Sequence, residues 1–181
     1  MKAALILIDV QNDYFENGKM ELFKPVEASL KAKKVLQQFR AEDWPVIHVQ
    51  HMSTREDATF FIPKTNGVEI HENVSPLEKE KVVVKQFPNS FRETDLLKTL
   101  QEQNIKRLVI CGMMTHMCVD ATTRAAKDFG FDCIIIGDAC ATKNLEINGE
   151  TLDAAEVQKS FLASLNYFYS RVMNAEEYLQ N

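Results

Sequence analysis

Apolar residues gather along this chain in two different patterns. Five short, mainly apolar runs stand out: Ala3 to Ile8, Pro45 to Gln50, Lys81 to Val84, Arg107 to Cys111 and Cys133 to Ile136. Continuous rather than alternating runs predict strands covered on both faces, the signature of a parallel sheet between helix layers. Between them, apolar positions recur at helical spacing over Val26 to Ala41, Asp95 to Gln103, Cys118 to Phe129 and Leu152 to Tyr169, the last after a cap near Thr151. Val172 and Met173 predict a sixth strand at an edge. This β-α-β-α order predicts an α/β fold, a three-layer doubly wound sheet, mostly parallel, with helices on both faces and right-handed crossovers.

Such sheets bind ligands beyond the carboxyl ends of their strands. Three polar features fall at those ends: Asp9 after the first run, Lys85 after the third, and the segment Gly112 to Cys118 after the fourth. The stretch Met52 to Glu80 breaks the alternation, being long, polar and interrupted by Pro63, Gly67 and Pro76. Long loops in compact domains usually serve function, so this one is expected to lie over the site.

With 181 residues, 45% of them hydrophobic, the chain is expected to form a single domain over 1–181. A net charge of -5 without a long Lys/Arg block gives no electrostatic footprint for nucleic acid or an anionic membrane. A small molecule is the expected partner. The first apolar run is short and ends in a carboxylate, which fits a buried strand better than a signal peptide. No stretch reaches membrane-spanning length. Four cysteines without a C-x-x-C pair read as reduced thiols, and the expected compartment is the cytoplasm.

Cys118 follows the glycine that breaks the fourth run. A thiol at a helix N-terminus feels the positive end of the macrodipole, which favours the thiolate. Asp9 could take and return a proton, and Lys85 could stabilise the thiolate and orient the carboxylate. The free N–H groups at the start of the helix could hold an oxyanion. Each residue also has a plain structural role open to it: Cys118 in the core, Asp9 as a turn cap, Lys85 as a solvated lysine. Cys111, Cys133 and Cys140 read as inert packing residues, and Asp120 with Arg124 as an i,i+4 ion pair.

Asp9-Val10-Gln11-Asn12-Asp13-Tyr14-Phe15, Lys85 to Phe91, and Gly112-Met113-Met114-Thr115-His116-Met117-Cys118 together resemble the isochorismatase-like cysteine hydrolases. The resemblance runs from Leu5 to about Leu179. That superfamily includes nicotinamidases, N-carbamoylsarcosine amidases, ureidoacrylate hydrolases and streptothricin hydrolases. It implies a parallel sheet of Rossmann-like order, a catalytic triad of Asp9, Lys85 and Cys118, and a cis peptide between Met113 and Met114. It further implies that the backbone N–H groups of Met114 and Cys118 form the oxyanion hole, and that the chain assembles as a dimer or tetramer. The cluster of Met113, Met114 and Met117 would then be partly interfacial, or would fill space beneath the turn.

The expected activity is hydrolysis of a small amide, carbamoyl or ureido compound through a thioester on Cys118. Phe15, Phe91 and His116 are the candidate substrate contacts, with Tyr14 a further aromatic nearby. True isochorismatases, which cleave a vinyl ether, characteristically lack the cysteine. Nicotinamidases carry an Asp-x-His metal motif after the second strand, where this chain reads Gln50-His51-Met52-Ser53. His51 and His71 alone cannot fill a tetrahedral zinc site, so neither metal nor other cofactor is expected. Two alternatives stay open at this stage: a vinyl-ether hydrolase, and a redox-responsive or ligand-binding protein that keeps the fold without turnover.

Overall fold

The computed structural model describes residues 2–180, so Met1 and Asn181, the ends of the expected 1–181 domain, lie outside the described residues. The strands are β1 (Ala3–Ile8), β2 (Val46–His51), β3 (Lys81–Lys85), β4 (Arg107–Met113), β5 (Asp132–Ala141), β6 (Leu145–Ile147), β7 (Glu150–Leu152) and β8 (Arg171–Met173). The helices are α1 (Pro25–Ala41), α2 (Leu96–Glu102), α3 (Asp120–Asp128), α4 (Ala154–Phe168) and α5 (Ala175–Leu179). Six strands form one sheet in the order β3-β2-β1-β4-β5-β8, and every neighbouring pair is parallel. The order reverses between β1 and β4, which places the binding crevice of a doubly wound sheet beyond their carboxyl ends.

Both faces of the sheet are apolar, as the continuous runs require. Along β1, Leu5 and Leu7 join a cluster with Ala32, Val35, Leu36 and Phe39 of α1. Ala4, Ile6 and Ile8 point the other way, into a cluster with Leu96 and Leu100 of α2, Ala126 of α3 and Leu165 of α4. Period-two alternation of side chains therefore buries one strand twice.

Three local expectations need correction. The fifth strand runs to Ala141 and not to Ile136, with a register irregularity opposite Ile110 and Gly112 that lets the longer strand continue. Cys140 thus lies inside β5. Thr151 and Leu152 belong to β7 of a β6-β7 hairpin, so α4 begins at Ala154 after Asp153. The turn is Asn148-Gly149, both residues at positive φ (53° and 80°), the two-residue geometry that matches strand twist. Cys118 does not open an α-helix: it lies in a π-helical turn, Thr115–Val119, that leads into α3.

The long 52–80 segment is tied down over the carboxyl ends of β1 and β2. Asp13 accepts the Phe61 N–H at 2.6 Å, the His71 N–H donates to the Val10 carbonyl at 2.8 Å, and Gln11 donates to the Val68 carbonyl at 2.7 Å. Phe61 is buried edge-on to Tyr14, with ring centres 4.7 Å apart. Among the described residues no helix is long and apolar enough to cross a membrane.

Candidate active site

The register of the sheet aligns four strand ends. In the order β3-β2-β1-β4 they present Lys85, His51, Asp9 and, through the turn after β4, Cys118. His51 and Lys85 are direct cross-strand partners. Asp9 has left β1 into a positive φ of 50°, and its N–H still donates to the Val49 carbonyl of β2 at 3.0 Å.

Gly112 makes the approach of β4 possible. It pairs with Ile8, has φ of +138°, and any Cβ there would overlap the Ile8 carbonyl oxygen. The following Met113-Met114 peptide is cis. Met117 and Val119 then both donate their N–H groups to the Met114 carbonyl, at 3.0 and 3.2 Å, which closes the turn that carries Cys118. Neither bond uses the N–H of Met114 or Cys118. A π-helical turn of this kind is uncommon and occurs disproportionately at functional sites.

At the centre sits Lys85. Its Nζ lies 2.7 Å from Asp9 Oδ2, 2.9 Å from His51 Nδ1 and 3.3 Å from Cys118 Sγ. An ammonium has three N–H bonds, and here each has an acceptor. Asp9, Lys85 and Cys118 are all buried, while His51 is half-buried.

Charge and burial act differently on each member. Burial pulls the Lys85 ammonium down, but Asp9 and Cys118 together outweigh that and hold its pKa above the usual lysine value. His51 is lowered to about 4, first by burial and then by the neighbouring Lys85, so it is neutral at pH 7 with Nδ1 as acceptor. The Cys118 thiol is pushed up by burial and by the Asp9 carboxylate, against the downward pull of Lys85. This corrects the expectation of a depressed thiol pKa. Burial and the carboxylate therefore favour the protonated thiol at rest.

Asp9, His51 and Cys118 also each offer a metal-ligating atom within 4.8 Å of one another. Lys85 Nζ is already bonded to all three, so a divalent ion in their midst would meet a cation at contact distance. The donor set fits an ammonium and not a metal. His71, the other histidine weighed as a zinc ligand, stacks on Phe15 at 3.6 Å, and its Nδ1 accepts the Asn73 N–H at 3.2 Å.

The candidate substrate contacts separate in space. Phe15 lines a cavity of about 630 Å³ with Phe60, Ile70 and His71. Phe91 packs among aromatics, edge-on to Phe129 at 5.2 Å and stacked with Phe131 at 6.2 Å. His116 Nδ1 shares a hydrogen bond with the Thr142 hydroxyl, and its ring meets Phe161 at 5.9 Å. Tyr14 is buried beside the site, and burial followed by the charges of Cys118 and Asp9 raises its pKa well above the usual phenol.

Met113 and Met114 are buried, whereas Met117 is 40% exposed, so only the last of the three reaches the surface to any extent. Cys111, Cys133 and Cys140 are buried free thiols, and burial pushes the latter two up to about 12. Asp120 and Arg124 form the expected ion pair at 2.9 Å.

Two contributors escaped the sequence reading. His51 was weighed only as a zinc ligand, and Gln11 only as part of a motif. Gln11 is fully buried and grips His51 by both backbone groups: its Oε1 accepts the His51 N–H at 2.8 Å and its Nε2 donates to the His51 carbonyl at 2.9 Å. A polar residue three positions past an apolar strand was the available signal. Its partner could not be named without the strand order.

Residues 3–176 match the isochorismatase domain. The chain belongs to the isochorismatase family. It is 51% identical to the isochorismatase family protein YddQ of Bacillus subtilis (strain 168), over 99% of this chain and all of that one. The solved structure of a putative isochorismatase hydrolase from Oleispira antarctica superposes with a TM-score of 0.95 at 45% identity, covering 99% of this chain and 97% of the other. A streptothricin hydrolase of Streptomyces noursei is 28% identical over 89% of this chain and 57% of its own length. Isochorismatase-family proteins are hydrolases, and the six-stranded parallel sheet is the family's fold.

Proposed function

We propose that this isochorismatase-family hydrolase is a cysteine-dependent amidohydrolase acting on a small amide, carbamoyl or ureido compound. The observation that carries the reading is the convergence of Asp9, His51 and Cys118 on the Lys85 ammonium at 2.7, 2.9 and 3.3 Å. Similarity to a streptothricin hydrolase supports hydrolysis in general terms. A carboxylate that shares the Lys85 ammonium with Cys118 supports a substrate whose leaving atom needs a proton.

In the proposed reaction Asp9 takes the thiol proton as Cys118 Sγ attacks the carbonyl carbon. The carbonyl oxygen gains the electron pair and is held by the backbone N–H groups of Met114 and Cys118. Collapse breaks the C–N bond, and Asp9 returns its proton to the departing nitrogen. Water then gives a proton to Asp9 and adds to the thioester, and the acid leaves with the thiol restored. Lys85 stays protonated throughout, its positive charge facing the thiolate and the carboxylate in turn.

A vinyl-ether hydrolase would leave Cys118 without a task. A redox sensor would need a low-pKa thiol, whereas this one is shifted upward. The test is a panel of small amides, ureas and carbamoyl amines, with mass spectrometry of the enzyme during turnover. An acyl adduct on Cys118 is expected. Undiminished hydrolysis by Cys118→Ala would overturn the mechanism.

A further inference from the structure

Resting on that reading, we infer that His51 is a positioning residue for Lys85: its neutral Nδ1 takes one ammonium N–H and thereby aims the other two at Asp9 and Cys118. A lysine side chain has four rotatable carbons and no intrinsic reason to choose one direction. For an ammonium buried as Lys85 is, an N–H without an acceptor would be costly, so three acceptors are needed to hold the charge in one place. Asp9 and Cys118 are two. His51 is the third, at 2.9 Å.

The placement is built into the sheet. His51 ends β2, which lies between the strands that carry Lys85 and Asp9, and it is the cross-strand partner of Lys85. Its backbone is clamped on both sides by Gln11, and the next N–H, that of Met52, donates to the Lys85 carbonyl at 2.9 Å. Phe61, held by Asp13, lies 5.7 Å from the imidazole ring centre to centre. Because Nδ1 accepts, the single ring proton belongs on Nε2, and the tautomer follows from the lysine.

The role needs only an acceptor at the Nδ1 position. Asparagine supplies one there, leucine supplies none, and glutamine places its oxygen nearer the Nε2 position. The readout is the rate at which iodoacetamide alkylates Cys118, followed at pH 8 by peptide mass spectrometry, since it needs no substrate and no turnover. With a misdirected ammonium the thiolate loses its nearest cation. Alkylation of Cys118 in His51→Leu is expected to slow about tenfold or more, and His51→Asn to recover to within about threefold of the wild type. Thermal unfolding of each variant checks the fold.

If His51→Leu does not fold, the comparison passes to His51→Asn against His51→Gln, with Asn expected to react faster. Equal rates in wild type and His51→Leu, or His51→Asn no better than the variant it is compared with, would overturn the inference. The amidohydrolase reading fails separately, through hydrolysis that survives Cys118→Ala.

Discussion

Asp9 Oδ2 and Lys85 Nζ lie 2.7 Å apart, and neither side chain reaches solvent. Removing one partner of a buried pair leaves an uncompensated charge, which costs about 3 to 5 kcal/mol. Lys85→Met is therefore expected to lower stability by about that amount and to abolish hydrolysis. Urea unfolding measures the first; the amide panel measures the second. A stability within about 0.5 kcal/mol of wild type would mean that the pair is hydrated, contrary to its burial.

Cys118 contributes little packing that serine could not replace. Cys118→Ser should keep the unfolding midpoint close to wild type, while hydrolysis falls by about a thousandfold or more, since a serine hydroxyl is a far weaker nucleophile beside a carboxylate base. Initial rates on the best amide of the panel give the ratio.

Gly112 admits no side chain. Gly112→Ala combines a positive φ of 138° with overlap on the Ile8 carbonyl, so β4 must move away from β1. A loss of about 2 kcal/mol or more in chemical unfolding is expected, together with loss of activity, because the turn bearing Cys118 moves with the strand.

Asp13 holds the long segment by accepting the N–H groups of Phe61 at 2.6 Å and Lys19 at 3.2 Å. In Asp13→Ala the buried Phe61 N–H loses its acceptor, at a cost of about 1 to 3 kcal/mol. The exposed Arg55 lies in the segment that this releases. Trypsin should cut after Arg55 several times faster in the variant at equal protease concentration, as seen by intact-mass analysis.

Acid should destabilise the protein through His51. Burial and Lys85 hold its folded pKa at about 4, below the ordinary value of 6.5. Between those values the unfolded chain binds a proton that the folded chain refuses, so stability rises with pH across that window. The His51 contribution is fully present above pH 6.5 and is lost as pH falls toward 4. Urea midpoints of wild type should decline over this range more steeply than those of His51→Asn. Parallel slopes would assign the acid sensitivity to other groups.

Much of this arrangement was legible in the chain. Burial on both faces turns a parallel strand into an apolar run, so β1 to β5 could be located, and a charged residue ending such a run, Asp9 or Lys85, stood out. The Asn148-Gly149 hairpin went unread, because the helical period from Leu152 drew Thr151 and Leu152 into the following helix. The end of β5 was not legible, because a strand can continue past a register irregularity only where its neighbour tolerates one.

By itself, the sequence determined the α/β class and the strand ends beside which Asp9, Lys85 and Cys118 fall; that Gly112 lets β4 approach β1 emerged only from the fold. Only the tertiary structure decided the strand order, which sets His51 between Lys85 and Asp9, and the Gln11 clamp that fixes it there. It also decided the state of Cys118. Helix position and a nearby cation, both readable in one dimension, argue for a thiolate. Burial and the Asp9 carboxylate, which exist only once the chain is folded, outweigh them and keep the proton on sulfur. The reason is physical: desolvation depends on everything that surrounds a group, and no local stretch of sequence contains its own surroundings.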